Sequence, residues 1–206
     1  MVCLQNHDQV GNRAVGDRLP ELTSPDLLRV GAVLLLTSPF TPMLWMGEEW
    51  AASTRWPFFT SHPEPELAQA TGKGRIEEFA THGWDVEQMI DPQDPAAYRT
   101  AILNWDETVQ RPHAEMLTLY RRLIALRAAE PDLQDDDLSR ISVDYDEAER
   151  WLVVQRGKLR IAANLSGEAR QLPMAGGQVV LATDAAATAT EDGLTLPARC
   201  AAVLRA

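Results

Sequence analysis

Hydrophobic periodicity changes once along this chain, at Asp135-Asp136-Asp137, and the change limits what the chain can fold into. Before that point apolar residues recur at helical spacing or in short solid runs; after it they alternate. Residues 141–145, 151–155, 159–165, 178–183, 194–196 and 200–204 read as short strands. Turn signals at residues 147–149, Gly157-Lys158, Ser166-Gly167, Gly176-Gly177 and Asp192-Gly193 separate them. The expectation is a small antiparallel sandwich of roughly 70 residues, a size at which a domain can only just fold alone. The alanine- and threonine-rich run 185–190 reads as a flexible loop, and Asn164-Leu165-Ser166 as a hairpin turn rather than a glycosylation site.

The first part follows another rhythm. Residues 2–5 form a short apolar run consistent with a buried strand. Ser24 can cap a helix, Pro25 suits its first position and Asp26 its positive end, so 27–36 reads as a helix apolar nearly all round. Met43-Leu44-Trp45-Met46 then reads as a fully buried strand closed by Gly47-Glu48-Glu49. Strand, helix, strand is the βαβ pattern of a parallel sheet. Residues 27–46 are long enough to span a bilayer, but Pro39 and Pro42 break them into two pieces.

Residues 50–111 read as mostly irregular, with short helical turns such as residues 75–80. Trp50, Trp56, Trp84, Trp105, Phe58, Phe59 and Phe79 lie there, and a disordered linker does not concentrate aromatics in this way. An ordered loop beside a site is expected. Residues 112–129 return to helical spacing, with Met116, Leu119, Tyr120, Leu123 and Ile124 inward, until Pro131 stops them.

Charge narrows the partners. A net charge of −11 over 206 residues disfavours nucleic acid and anionic membrane surfaces, and leaves a neutral substrate unhindered. Cys3 and Cys200, with no metal-ligand spacing, point to a reducing cytoplasm and to no metal; no cofactor motif is present.

The segment richest in chemistry is Leu4-Gln5-Asn6-His7-Asp8-Gln9-Val10-Gly11-Asn12-Arg13, at the end of the first apolar run. A carboxylate beside an imidazole can hold two neighbouring sugar hydroxyls, the carboxylate accepting from both. The alternative is a solvated turn, with Asp8 as a cap and Asn12 in a left-handed conformation. Trp56, Phe58 and Phe59 either stack on glucose rings or anchor the long loop. His62 and His82 read as loop hydrogen-bonders. Glu48 and Glu49, adjacent on a strand end, would face opposite ways and so cannot serve as a catalytic pair.

Asn6-His7-Asp8 after a short apolar run resembles the fourth conserved segment of the α-amylase superfamily. The string from Leu4 to Ala14, continuing to Gly16-Asp17-Arg18-Leu19, is similar to the malto-oligosyltrehalose trehalohydrolases in particular. Pro42-Met43-Leu44-Trp45-Met46-Gly47-Glu48-Glu49, Pro57-Phe58-Phe59-Thr60-Ser61-His62 and Gly74-Arg75 follow in order. The resemblance covers residues 2–130, and only weak cues such as Ala163-Asn164-Leu165-Ser166 carry it into the sandwich. It implies α/β plus all-β architecture. Residues 1–134 would be the last strands and helices of a (β/α)8 barrel, about strands seven and eight, and residues 135–206 a small antiparallel β-sandwich.

By the same resemblance Asp8 is the transition-state-stabilising aspartate and His7 binds the same sugar, with Gln9, Asn12 and Arg13 shaping the loop. The substrate would be malto-oligosyltrehalose or another α-glucan, cleaved at an α-1,4 bond. Retaining glycosidases need two further carboxyl groups about 5 to 5.5 Å apart. The family places them upstream of Asn6-His7-Asp8, so the chain alone is expected to be inactive, and either to aggregate or to associate with an upstream barrel fragment as partner. A branching-enzyme or amylase piece, or a carbohydrate-binding accessory protein without turnover, are the other readings. Branching enzymes usually follow the His-Asp pair with acidic and β-branched residues, where this chain has Gln9-Val10-Gly11-Asn12-Arg13.

Overall fold

A computed structural model describes residues 1–206 except 82, 84, 175 and 176, so the readings of His82, Trp84 and Gly176 lie outside the described residues. In chain order the helices are α1 (His7–Gly11), α2 (Leu19–Leu22), α3 (Pro25–Thr37), α4 (Pro65–Thr81), α5 (Pro95–Thr100) and α6 (His113–Ala129). The strands are β1 (Ile141–Asp146), β2 (Trp151–Arg156), β3 (Leu159–Asn164), β4 (Arg170–Leu172), β5 (Gln178–Ala182), β6 (Thr188–Thr190), β7 (Gly193–Leu196) and β8 (Cys200–Arg205). The fold is a mixture of helices and antiparallel sheet. The chain forms two compact units: Met1–Leu4, Thr23–Met43 and Glu115–Ala206 in one, Gln5–Leu22 and Leu44–Ala114 in the other.

In the first unit, α3 starts as the sequence predicts: the Ser24 side chain accepts from the Leu27 amide, and Pro25 occupies the first turn. Its C-terminal end is held by two arginines. Arg127 donates to the carbonyls of Leu36 and Ser38, and buried Arg156 donates to that of Thr37. These are the carbonyls a helix leaves unpaired, where positive charge is favoured. Desolvation pulls both guanidinium groups below their ordinary pKa.

The strands form two antiparallel sheets, ordered β1-β2-β3-β8-β5 and β4-β7-β6. Alternation builds the core between them. Val153, Ala162, Cys200, Ala202 and Leu204 of the larger sheet meet Leu172, Leu194 and Leu196 of the smaller. The alternate residues Ile161, Ala163, Ala201 and Val203 are equally buried, and α3 packs on β3 and β8. Asn164 is fully buried, donating to the carbonyls of Glu168 and Pro197 at 2.7 Å each and accepting from Ser166. Its amide closes the turn after β3, so Asn164-Leu165-Ser166 is a structural device. Cys3 and Cys200 form no disulfide.

Several expectations about these elements fail. Residues 2–5 and 43–46 form no strands: a single parallel bridge joins Val2 to Pro42, the Val2 amide donating to Thr41 and the Met43 amide to Val2. An apolar run favours burial, but a strand needs a hydrogen-bonded neighbour along its length, and here the pairing ends after one bridge. Residues 185–190 are not wholly loop, because β6 pairs with β7 there. Residues 65–81 form a 17-residue helix rather than isolated turns. Finally, Ile124 of α6 is half exposed, while Met116, Leu119, Tyr120 and Leu123 are buried; it borders the stripe that they form. Among the described residues, no helix is long and apolar enough to cross a membrane.

Candidate substrate-binding site

The polar segment at the start of the second unit folds as α1. Asn6, not Asp8, is its cap, its side chain accepting from the Gln9 amide at 3.0 Å. Asn12 ends it at φ −90°, outside the left-handed region. With capping and chain reversal supplied by other atoms, the His7 and Asp8 side chains are left outside the turn's own hydrogen bonding. His7 Nε2 lies 3.1 Å from Asp8 Oδ1, and the two side chains are 61% and 72% exposed. Asp8 is open to solvent, and it lines none of the described cavities. A five-residue helix supplies one wall, and a cleft needs a second.

That wall continues as a row of rings. His7 lies 6.0 Å from Trp45, Trp45 packs edge-on against Trp56 at 5.1 Å, Trp56 meets Phe59 at 5.7 Å, and Phe59 meets Tyr98 at 5.7 Å. The row depends on two glycines. A side chain at Gly11 would strike the Trp56 ring at 2.7 Å, and Gly16, at φ +65°, lies against the Trp56–Pro57 backbone. Two of the expected ring residues, Trp56 and Phe59, therefore join His7 on one surface.

Phe58 does not join them. It covers one side of the Arg75 guanidinium at 4.8 Å, with Phe79 at 4.5 Å. Arg75 Nη2 donates to the Gly11 carbonyl at 2.8 Å and to Asn12 Oδ1 at 2.7 Å, tying α4 to the end of α1. Arg13 Nε donates to Asp17 at 2.7 Å, and the Gln9 side chain is exposed. Asn12 and Arg13 thus brace the loop from behind. We expect Arg75→Lys to destabilise the protein by about 2 kcal/mol, because a lysine makes neither the double donation nor the ring stacking. Urea unfolding measures it.

Glu48 and Glu49 do not end a strand; they form a 3-10 turn with Trp50 after Gly47 in the left-handed region. Glu48 is buried, and with Glu107 and Glu49 it faces Arg18, which is 1% exposed and donates to the Met46 carbonyl at 2.6 Å. Burial lowers the Arg18 pKa, and these carboxylates counter it. The cluster is internal support. His62 makes loop hydrogen bonds, as expected, to Thr60 and Gln93. Trp45, Arg75 and Tyr98 are the neighbours of the site that sequence reasoning missed.

Residues 136–203 match a family described as a domain of unknown function, DUF3459. The malto-oligosyltrehalose trehalohydrolase of Brevibacterium helvolum is 48% identical over the whole chain. The chain is homologous to the malto-oligosyltrehalose trehalohydrolases. That of Mycobacterium tuberculosis is also 48% identical, over 97% of the chain, and that of Deinococcus radiodurans 37%, over 82%. The chain spans about 35% of the length of the Brevibacterium trehalohydrolase and 34% of the mycobacterial one. Among solved structures, a putative α-amylase from Salmonella typhimurium matches 99% of the chain with TM-score 0.84 and 32% identity, over 34% of its own length. Isomaltulose synthase from Klebsiella, at TM-score 0.63 and 18% identity, shares the fold.

Proposed function

We propose that this chain is the C-terminal part of a glycoside hydrolase that releases trehalose from malto-oligosyltrehalose by cleaving an α-1,4-glucosidic bond. The observation that carries the reading is the exposed His7–Asp8 pair at the head of the aromatic row, braced from behind by Arg75. Asp8 accepts hydrogen bonds from two hydroxyls of the sugar at the scissile bond. These bonds strengthen as positive charge grows on the ring, so they lower the barrier rather than only improving binding. His7 holds the same sugar, and Trp56 with Phe59 extends the surface on which glucose rings rest. Gln9 borders the sugar, while Asn12, Arg13 and Phe58 contribute through the loop they hold.

The nucleophile and the general acid belong to a part of the hydrolase outside these 206 residues. That part also supplies the second wall that the exposure of Asp8 calls for. The parallel bridge between Val2 and Pro42 supports residues 1–134 as the end of a (β/α)8 barrel, about strands seven and eight. Residues 135–206 are then the C-terminal β-sandwich.

Incubation of the chain alone with malto-oligosyltrehalose is expected to yield no trehalose. The missing barrel segment, supplied as a second polypeptide, restores release. Trehalose from the chain alone would refute the division of the catalytic groups, and sugar binding without release in the reconstituted pair would favour an accessory binding role.

A further inference from the structure

The aromatic row ends at a cavity that the proposed chemistry at Asp8 does not use. It has a volume of about 430 Å³ and is bounded by Phe59, Thr60, Ser61, Gln93, Asp94 and Tyr98. That volume lies within the range of ordinary small-molecule sites. Its two walls are fastened together: the Thr60 amide donates to the Pro92 carbonyl at 2.9 Å, and the His62 amide to Gln93 Oε1 at 3.1 Å. With Oε1 engaged, the Gln93 amide nitrogen is fixed in direction, and it is buried without an acceptor. An unsatisfied buried donor is costly unless a ligand or water completes it.

Tyr98 stands over the cavity 55% exposed, its ring tilted 71° to that of Phe59, so Phe59 meets it edge to face and leaves ring area open. Open aromatic area beside an amide, a carboxylate and two hydroxyls suits a neutral ligand with apolar faces and a polar perimeter. A pyranose ring has that form: its C–H face packs on Tyr98 while its hydroxyls reach Asp94 and Ser61.

We infer that this cavity is a second glucosyl-binding subsite, holding a sugar unit distinct from the one at Asp8 and reached along the row from His7 to Tyr98. The inference rests on the functional reading above for the identity of the ligand, an α-1,4-linked oligosaccharide.

Titration of maltoheptaose into the chain, alone or joined to its upstream segment, tests it by NMR of the Tyr98, Trp45 and His7 ring resonances. All three are expected to move. Tyr98→Ala should weaken maltoheptaose binding about tenfold, and Tyr98→Phe should restore it to within about twofold, since the ring and not the hydroxyl does the packing. Tyr98 is exposed enough that neither change should shift the melting temperature. Movement at His7 and Trp45 with Tyr98 silent would overturn the subsite and leave the Asp8 reading standing. Movement at Tyr98 with His7 silent would keep the subsite and count against Asp8. An equal response to cellohexaose, whose β-1,4 chain is straight, would reduce the site to unspecific stacking and overturn it.

Discussion

Asp8→Asn in the complete hydrolase is expected to lower kcat about 1,000-fold while the melting temperature stays within about one degree. The two expectations come from the same geometry. Asp8 neither caps α1 nor braces the loop, since Asn6 and Arg75 perform those tasks, and its side chain is 72% exposed. Its contact with His7 is an exposed pair, which contributes little to stability. Asparagine keeps the shape but removes the negative charge and one of the two acceptors. Hydroxyl donors on a ring that is becoming positive lose most of their stabilisation, whereas ground-state binding of a neutral sugar loses little. The loss should therefore fall on kcat, with KM changed by only a few-fold. A kcat within twofold of the parent would remove Asp8 from the mechanism. A fall in melting temperature matching the loss of activity would make it a structural residue.

How much of this was legible beforehand depended on whether a segment carries its own pattern. The helix α3 announces itself through Ser24-Pro25-Asp26, and six of the strands through short apolar runs set between turn residues such as Gly and Asp. The helix α4 does not. Its sequence includes Gly72 and Gly74 and buries only Gly72 and Phe79, so no apolar stripe repeats at helical spacing. The strand β6 lies in an alanine and threonine run where alternation has no contrast, although Ala187 and Ala189 pack against the sandwich core. The site divides in the same way. His7 and Asp8 stand out as adjacent chemical groups. Trp45 looked like strand interior, and Arg75 reaches Asn12 across 63 residues by a tertiary contact that no local spacing encodes.

The sharpest test of how the aromatic row is held is Gly16→Ala, expected to destabilise the protein by about 3 kcal/mol or more. Gly16 has φ +65°, which costs an L-residue about 1 kcal/mol by itself. The larger cost is space. A Cβ at this position would lie 2.1 Å from the Pro57 nitrogen and 2.2 Å from the Trp56 carbonyl carbon, both backbone atoms, so no side chain can swing aside. The same strand of backbone is tethered, because the Trp56 amide donates to the Gly16 carbonyl at 2.8 Å. Relief requires the segment 56–57 to move as a body. That lifts Trp56 away from Gly11 and Trp45 and breaks the row between His7 and Phe59. Gly74→Ala is the matched control: it lies within α4, meets nothing within 4 Å, and should be neutral or stabilising by up to about 1 kcal/mol. Urea unfolding followed by tryptophan fluorescence compares the two. Equal stability of the two variants would mean that the Gly16–Trp56 contact is not what fixes the row, and its rings would then have to be held from the Trp45 side instead.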